Sequence, residues 1–121
     1  MRIIDYRSKQ KILYIERTNP ADLQNYGDTF FDEGHYPDAL EFYQRAESQS
    51  GLQKIKDIAL ELGDVMLFQQ AARALRLELK PADWDAVGRK AMELKKYLFA
   101  QYAMQKADNQ EMLAALRKMI G

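Results

Sequence analysis

The sequence predicts an all-α fold built from stacked helical hairpins, and three observations support this fold class. Only three prolines and six glycines occur among 121 residues, so most of the chain can form regular structure. Apolar residues recur at the three- and four-residue spacing of amphipathic helices. One stretch of the chain also repeats itself further along, as it does in helical-repeat proteins.

The internal repeat relates residues 20–46 to residues 81–107 at a constant offset of 61 positions. Average composition gives about two identities by chance over such a window. Eight identities occur without a gap, namely Pro20/Pro81, Ala21/Ala82, Asp22/Asp83, Gly27/Gly88, Tyr36/Tyr97, Ala39/Ala100, Gln44/Gln105 and Ala46/Ala107. We interpret the two stretches as copies of one unit.

The first copy has the residue pattern of two helices joined by a tight turn. Asn19 can cap the first helix, and Pro20 can take its first position, where no amide hydrogen is needed. Gly34 is expected to end this helix and Pro37 to begin the second. Small residues let the helices approach closely while aromatic residues fill the space between them. The predicted facing residues are Leu23, Tyr26, Gly27 and Phe30 in the first helix, and Ala39, Leu40, Phe42, Tyr43 and Ala46 in the second.

This unit resembles the tetratricopeptide repeat family, whose period is 34 residues. The motif that carries the resemblance is Leu23-x2-Tyr26-Gly27-x2-Phe30, followed by Ala39-x3-Tyr43 and then Ala46. The later copy departs from the family pattern at Ala91, Lys95 and Met104. The resemblance implies a TPR-like right-handed superhelix of about three antiparallel helical hairpins plus a C-terminal capping helix. Its parts would be repeat 20–53, a degenerate repeat 54–80, repeat 81–107 and capping helix 108–121.

The middle and last parts are expected to be helical as well. Ser50 and Gln53 suit a capping box, and Gly63-Asp64 separates two apolar stripes. The stripes are Leu52, Ile55, Ala59 and Leu62, then Phe68, Ala71, Ala72, Leu75 and Leu79. The last helix is predicted to begin at Asp108, in capping-box spacing with Glu111, and to cover the core with Met112, Leu113, Leu116 and Ile120.

Residues 1–19 do not fit the repeat, and their pattern allows either a helix, with Ser8 as its cap, or a hairpin. They carry five cations and two anions, a local charge of +3 against −3 for the rest of the chain. We expect this segment to dock on the helical body of its own chain or of a second copy. The alternative is one more helix that continues the stack. The apolar residues available for docking are Ile3, Ile4, Ile12, Leu13 and Ile15.

Composition argues against several functional classes. The formal net charge is zero, whereas proteins that bind nucleic acids usually carry a basic excess. No apolar stretch approaches the roughly 20 residues that span a membrane, and the absence of cysteine fits a cytoplasmic protein. His35 is the only histidine, and no phosphate-binding glycine motif occurs. We therefore expect neither an enzyme nor a bound metal or cofactor.

The family resemblance implies that the first helix of each hairpin lines a concave ligand-binding surface. The positions it implies are Gln24, Asp28, Phe31 and Asp32, then Gln53, Asp57, Leu60 and Glu61, then Asp85, Arg89, Met92 and Glu93. This set is acidic with apolar members, and it lacks the clamp of Lys, Arg and Asn with which some tetratricopeptide domains hold acidic tails. We therefore expect a protein-interaction module that prefers basic or apolar segments of a partner. The alternative is a structural subunit that self-associates or extends a larger helical-repeat assembly.

Overall fold

The structure, a computed structural model, describes residues 5–15 and 17–120, with the side chain of Ile15 outside the description. Over these residues the protein is all-α, as predicted, with eight α-helices, one π-helical turn and no β-strand. The π-helical turn, Lys11–Ile15, follows the first helix directly. The helices are α1 (Tyr6–Gln10), α2 (Pro20–Asp32), α3 (Tyr36–Arg45), α4 (Gln49–Leu62), α5 (Val65–Ala74), α6 (Pro81–Glu93), α7 (Tyr97–Ala107) and α8 (Gln110–Ile120).

The chain divides into two compact units, one ending at Ile55 and the other beginning at Lys56. The division falls within α4, so the backbone of one helix runs through both units. The first unit contains α1 to α3 and the start of α4. The second contains the rest of α4 and α5 to α8.

In the first unit, α2 and α3 form the predicted hairpin. The Asn19 side chain accepts a hydrogen bond of 2.9 Å from the Asp22 amide, which satisfies one free donor at the start of α2. Gly34 takes a left-handed conformation with φ of 79° in the turn, and Pro37 lies in the first turn of α3. Because these signals are local in sequence, they fix the hairpin without help from distant residues.

The core of the first unit is aromatic. The rings of Phe30 and Phe42 stack with their centroids 5.2 Å apart, and Tyr26 stacks on Phe42 at 5.5 Å. Tyr43 is fully buried, and its ring lies between the backbones of Gly27 and Gly51. The glycines therefore mark close approaches of α2 and α4 to this one ring, as predicted for Gly27.

The N-terminal segment is helical, which excludes the hairpin alternative for residues 5–15. Asp5, not Ser8, caps α1, because its carboxylate accepts from the Ser8 amide at 2.7 Å. Arg2, Ile3, Ile4 and Glu16, which entered the prediction of docking, lie outside the described residues.

This segment packs on α3 of its own chain. The Lys9 ammonium, although largely buried, donates to Asp38 at 2.5 Å and to Glu41 at 3.3 Å. Leu13 is only 1% exposed, and its carbonyl oxygen accepts from Nε of Arg45 at 2.9 Å. An apolar anchor and paired charges thus hold the segment on α3, a contact that fits both intrachain docking and one more helix in the stack.

In the second unit, α6 and α7 form the later copy of the hairpin. Gly88 faces Met104 as Gly27 faces Tyr43, which is the same pair of positions shifted by 61. Trp84, the only tryptophan, packs edge-on against Tyr102 with centroids 5.9 Å apart. Lys95 takes the left-handed turn position with φ of 62°, so the loss of glycine there leaves the turn conformation unchanged. Helix α5 packs on α7, and α8 also packs on α7.

Two predicted helix starts are wrong. Helix α4 begins at Gln49, and Ser48 caps it by accepting from the Gly51 amide at 3.1 Å, so Ser50 lies inside the helix. Helix α8 begins at Gln110, where Asn109 accepts from the Met112 amide at 3.1 Å. Asp108 instead ends α7 in a left-handed conformation. The expected boundary between residues 53 and 54 therefore falls inside α4.

Residues with a left-handed backbone conformation recur in pairs with the same spacing within each pair. Gly34, Gly63 and Lys95 occupy the turns inside the three helix pairs. A second left-handed residue follows each of them 13 positions later, at Glu47, Arg76 and Asp108. The middle pair, with α4 of 14 residues and α5 of 10, has helices of ordinary length and is not shortened.

Candidate functional site

The predicted binding positions lie on three helices and in both units. In the first unit they are Gln24, Asp28, Phe31 and Asp32 on α2, with Gln53 on α4. In the second unit they are Asp57, Leu60 and Glu61 on α4, with Asp85, Arg89, Met92 and Glu93 on α6. All twelve are exposed or half-buried, so none of them is a core residue.

Asp28 and Phe31 share a lysine from α4. Lys54 Nζ lies 3.3 Å from Oδ1 of Asp28 and 4.4 Å from the centroid of the half-buried Phe31 ring. A cation over an aromatic face is attracted by the negative electrostatic potential of the ring. Lys54 therefore offsets the acidic charge of Asp28, which sequence reasoning did not anticipate.

Asp28 also accepts a hydrogen bond from the buried Tyr43. The Tyr43 hydroxyl donates to Oδ1 of Asp28 at 2.5 Å. Burial and the neighbouring Asp28 carboxylate raise the pKa of Tyr43 well above its ordinary value, so the hydroxyl remains a donor. With Tyr43 and Lys54 both bound to it, Asp28 serves the packing of α2, α3 and α4.

On α6, Asp85 is similarly engaged. Its carboxylate accepts from Nε of Arg89 at 2.6 Å and from Nδ2 of Asn109 at 2.6 Å. These hydrogen bonds hold the pKa of Asp85 below its ordinary value of 3.8, and the same pair raises the pKa of Arg89. Lys90 lies 3.6 Å from Glu93 one turn later. The predicted acidic face of α6 is therefore largely neutralised by its own neighbours.

Asp32 on α2 and Glu61 on α4 remain as exposed carboxylates of the predicted set that form no ion pair with any described residue. Apolar side chains lie along the same helices. Leu60 is 36% exposed, and Met92 is half-buried. In each unit, the predicted positions thus carry fewer unpaired acidic side chains than the sequence indicates.

A second surface, which the sequence analysis missed, lies where α7 begins and α8 ends. It is a surface pocket of about 740 Å³ in the second unit. Its walls are formed by Lys95, Lys96, Tyr97, Leu98, Phe99, Met119 and Ile120. Leu98 is 74% exposed, Met119 54% and Ile120 46%, so the prediction that Ile120 covers the core is wrong. We call this feature the α7–α8 pocket.

Two cations line the α7–α8 pocket, Lys95 and Lys96, and two more precede its lining residues on α8. Residues 94–99 and 115–120 contain four cations and no anion, the cations being Lys95, Lys96, Arg117 and Lys118. Lys96 Nζ also donates to the carbonyl oxygen of Leu62 at 2.5 Å, at the end of α4. Leu62, expected in the core, is 36% exposed. A sequence signal existed, because Tyr97-Leu98-Phe99 are three consecutive large residues, more than one helix face can bury.

Comparison of the chain with family models, with curated proteins and with solved structures finds no match. The tetratricopeptide resemblance therefore depends on the residues quoted above. Among the residues that the structure describes, no group of three or more His, Cys, Asp or Glu side chains could hold a metal ion. None of the described helices is long and apolar enough to cross a membrane.

Proposed function

We propose that this chain is a protein-interaction module of the tetratricopeptide type, and that its hairpins stack into the right-handed superhelix of that family. The observation that carries the proposal is the face left uncovered on both copies of the hairpin. Positions 24, 28, 31 and 32 on α2 and the matching positions 85, 89, 92 and 93 on α6 all remain exposed or half-buried. A duplicated unit that leaves the same face open in both copies is suited to contact an extended partner.

The proposed ligand is a basic or apolar segment of another protein. Asp32 and Glu61 are the acidic side chains of the set available for a cation of the ligand, because Lys54, Arg89 and Lys90 already engage others. Leu60 and Met92 are the partly exposed apolar members of the set on α4 and α6. No nucleic acid, membrane, cofactor or catalysed reaction forms part of the proposal, and a cytoplasmic location stays a prediction.

Charge reversal at the open carboxylates tests the proposal. Each of Asp32→Lys and Glu61→Lys should weaken the binding of basic peptides from an array roughly two- to tenfold, because exposed charge pairs contribute about 0.2–1 kcal/mol and reversal adds repulsion. Glu78→Lys is the matched control, since Glu78 is exposed and lies between α5 and α6. Preferential binding of acidic tails, or an equal loss in Glu78→Lys, would contradict the proposal.

The second candidate function is self-association through the N-terminal segment. It is supported by the burial of Lys9 and Leu13 on α3, because a segment that fits this face in one chain fits it in a second copy. Exchange of a segment between identical chains forms dimers at little cost. Size-exclusion chromatography with light scattering should then show a dimer for the unmodified protein and a monomer for Leu13→Ser. A monomer at all concentrations would remove this candidate.

A further inference from the structure

The exposed apolar residues of the α7–α8 pocket lie outside the faces with which α7 and α8 pack into the core. Both helices already bury another face, through Ala100, Ala103 and Met104 on α7 and through Leu113 and Leu116 on α8. Scattered exposed apolar residues are ordinary on a protein surface, whereas several around one depression indicate a binding site. Leu98, Met119 and Ile120 form such a group.

The earlier copy of the unit shows that the hairpin does not need this apolar surface. At the offset of 61, Leu98 corresponds to Pro37 and Phe99 to Asp38, which is polar and pairs with Lys9. Ile120 corresponds to Ala59 in α4, which is small and fully buried. Met119 corresponds to Ile58, so that position is apolar in both stretches. At the positions of Leu98 and Ile120, by contrast, the earlier helices form without a bulky apolar side chain exposed to solvent, so the exposure of these two residues is not required by the hairpin itself.

Charge decides which occupant suits the pocket. Four cations and no anion lie in residues 94–99 and 115–120. A second copy seated pocket against pocket would bring two such clusters together, and like charges in contact oppose association. Acidic side chains on a partner would instead be attracted, while its apolar side chains fill the depression.

We propose that the α7–α8 pocket binds an acidic amphipathic segment of a partner protein, with bulky apolar side chains inserted between Leu98 and the end of α8. Acidic side chains of that segment pair with the surrounding lysines and arginine. This site is distinct from the surface of α2, α4 and α6 in its helices and in the charge of its ligand. Either site can be tested, and can fail, without the other.

The probe is a fluorescein-labelled peptide with Leu and Phe at helical spacing of three and four, and Glu at the remaining positions. Fluorescence anisotropy with the full chain should show saturable binding that weakens as salt rises. The same peptide with Lys in place of Glu should not bind, nor should a scrambled peptide of unchanged composition. Equal binding of the lysine peptide would overturn the proposal.

Surface variants locate the site without disturbing the fold. Leu98→Ser should weaken binding of the glutamate peptide by about fivefold or more, because an anchor in a pocket contributes most of the energy. The control is Leu77→Ser, at a leucine 47% exposed between α5 and α6. Lys118→Glu should weaken binding about threefold or more and reduce its salt dependence. Its control is Arg73→Glu, since both residues are cations in the last turn of a helix.

Two further outcomes would overturn the proposal in favour of another occupant. A dimer of the unmodified protein that Leu98→Ser converts to monomer, with no peptide binding, would assign the pocket to a second copy. The unmodified protein could instead sediment with vesicles of phosphatidylcholine and phosphatidylserine and fail to bind the peptide. If Leu98→Ser then no longer sedimented with the vesicles, the pocket would be assigned to an anionic membrane surface. Unchanged binding of the glutamate peptide by Leu98→Ser would place the peptide elsewhere.

Discussion

Tyr43 is the residue around which the first unit is arranged. A Cβ atom added at Gly27 would lie 2.7 Å from Cε1 of its ring, and one added at Gly51 would lie still closer to Cδ1. The hydroxyl is held by Asp28 at 2.5 Å. Close backbone contacts from α2 and α4 and a hydrogen bond at its end thus restrict the position of the ring.

The paired glycines of the two copies should differ in their tolerance of alanine. We expect Gly27→Ala to lower the free energy of unfolding by about 1–3 kcal/mol, because the fixed Tyr43 ring cannot yield. Gly88→Ala should cost less or stabilise, since the nearest atom is the mobile methyl group of Met104 at 2.8 Å and alanine favours a helix by about 1 kcal/mol. Urea unfolding measures both. Equal losses would show that Tyr43 is not held as described.

At the scale of elements, Asp85 and Asn109 join the start of α8 to α6. Asn109 caps α8 through the Met112 amide and donates to Asp85 with its side-chain nitrogen. The pKa of Asp85 is lowered in the folded protein, so its stabilising effect is present above the ordinary value of 3.8 and is lost as pH falls through the lowered value.

Asp85→Asn should therefore destabilise the protein at neutral pH and much less in acid. Urea unfolding at pH 7 and below pH 3.8 should show the gap between the unmodified protein and Asp85→Asn closing as the pH falls. Glu78→Gln, at an exposed site outside the helices, serves as the control. A gap that stays constant or widens in acid would mean that the Asp85 carboxylate is not held in its charged form.

Turn glycines provide a second comparison between elements. Gly34 and Gly63 both have positive φ, but only Gly63 lies against another backbone, with Cα of Ala91 2.8 Å from an added Cβ. Gly34→Ala should cost about 1–2 kcal/mol from left-handed strain alone. Gly63→Ala should cost about 1–3 kcal/mol more from overlap with α6, as measured by thermal and urea unfolding. Equal costs would contradict the packing of this turn on α6.

Sequence reasoning succeeded where the signals are local. Asn19-Pro20 and Gly34 act within a few residues of themselves, so the bounds of α2 follow from them. The start of α4 did not follow, because Ser48 and Ser50 both have capping chemistry and only the fold chooses between them. Residues 5–15 stayed ambiguous because their helix is short and depends on burial of Leu13 against α3.

The candidate surfaces were harder to predict, because they depend on contacts between residues that are distant in sequence. The twelve positions are exposed or half-buried, and their role in binding stays a prediction. The ion pair of Asp28 with Lys54 spans 26 residues, and the hydrogen bond from Asn109 to Asp85 spans 24, so no local pattern contains them. The exposure of Leu98 depends on which helix covers which face, and this is a property of tertiary packing alone.

At the scale of the whole chain, the N-terminal segment takes a role that a helix plays elsewhere. The π-helical turn packs on α3 in the first unit as α5 packs on α7 in the second. This contact fits both predictions for the segment, docking on the helical body and one more helix in the stack. In the first unit the segment covers part of α3.

A chain lacking residues 1–18 should stay folded and bind an added peptide of residues 1–18. Binding should weaken as salt rises, because Lys9 pairs with Asp38 and Glu41. Leu13→Ser in the peptide should abolish binding measured by calorimetry, whereas Tyr14→Ser should not, since Leu13 is buried and Tyr14 is 59% exposed. Collapse of the shortened chain, or no measurable binding, would contradict this docking.

Trp84, buried on α6 beside Tyr102, gives the molecule a built-in optical label. Because it is the only tryptophan in the sequence, the change in its fluorescence on unfolding reports on the second unit alone. Far-ultraviolet circular dichroism, by contrast, sums over every helix, and coincidence of the two transitions is a test of two-state unfolding. Following both signals through one denaturant titration should therefore reveal whether the two halves lose their structure in one cooperative step or in succession.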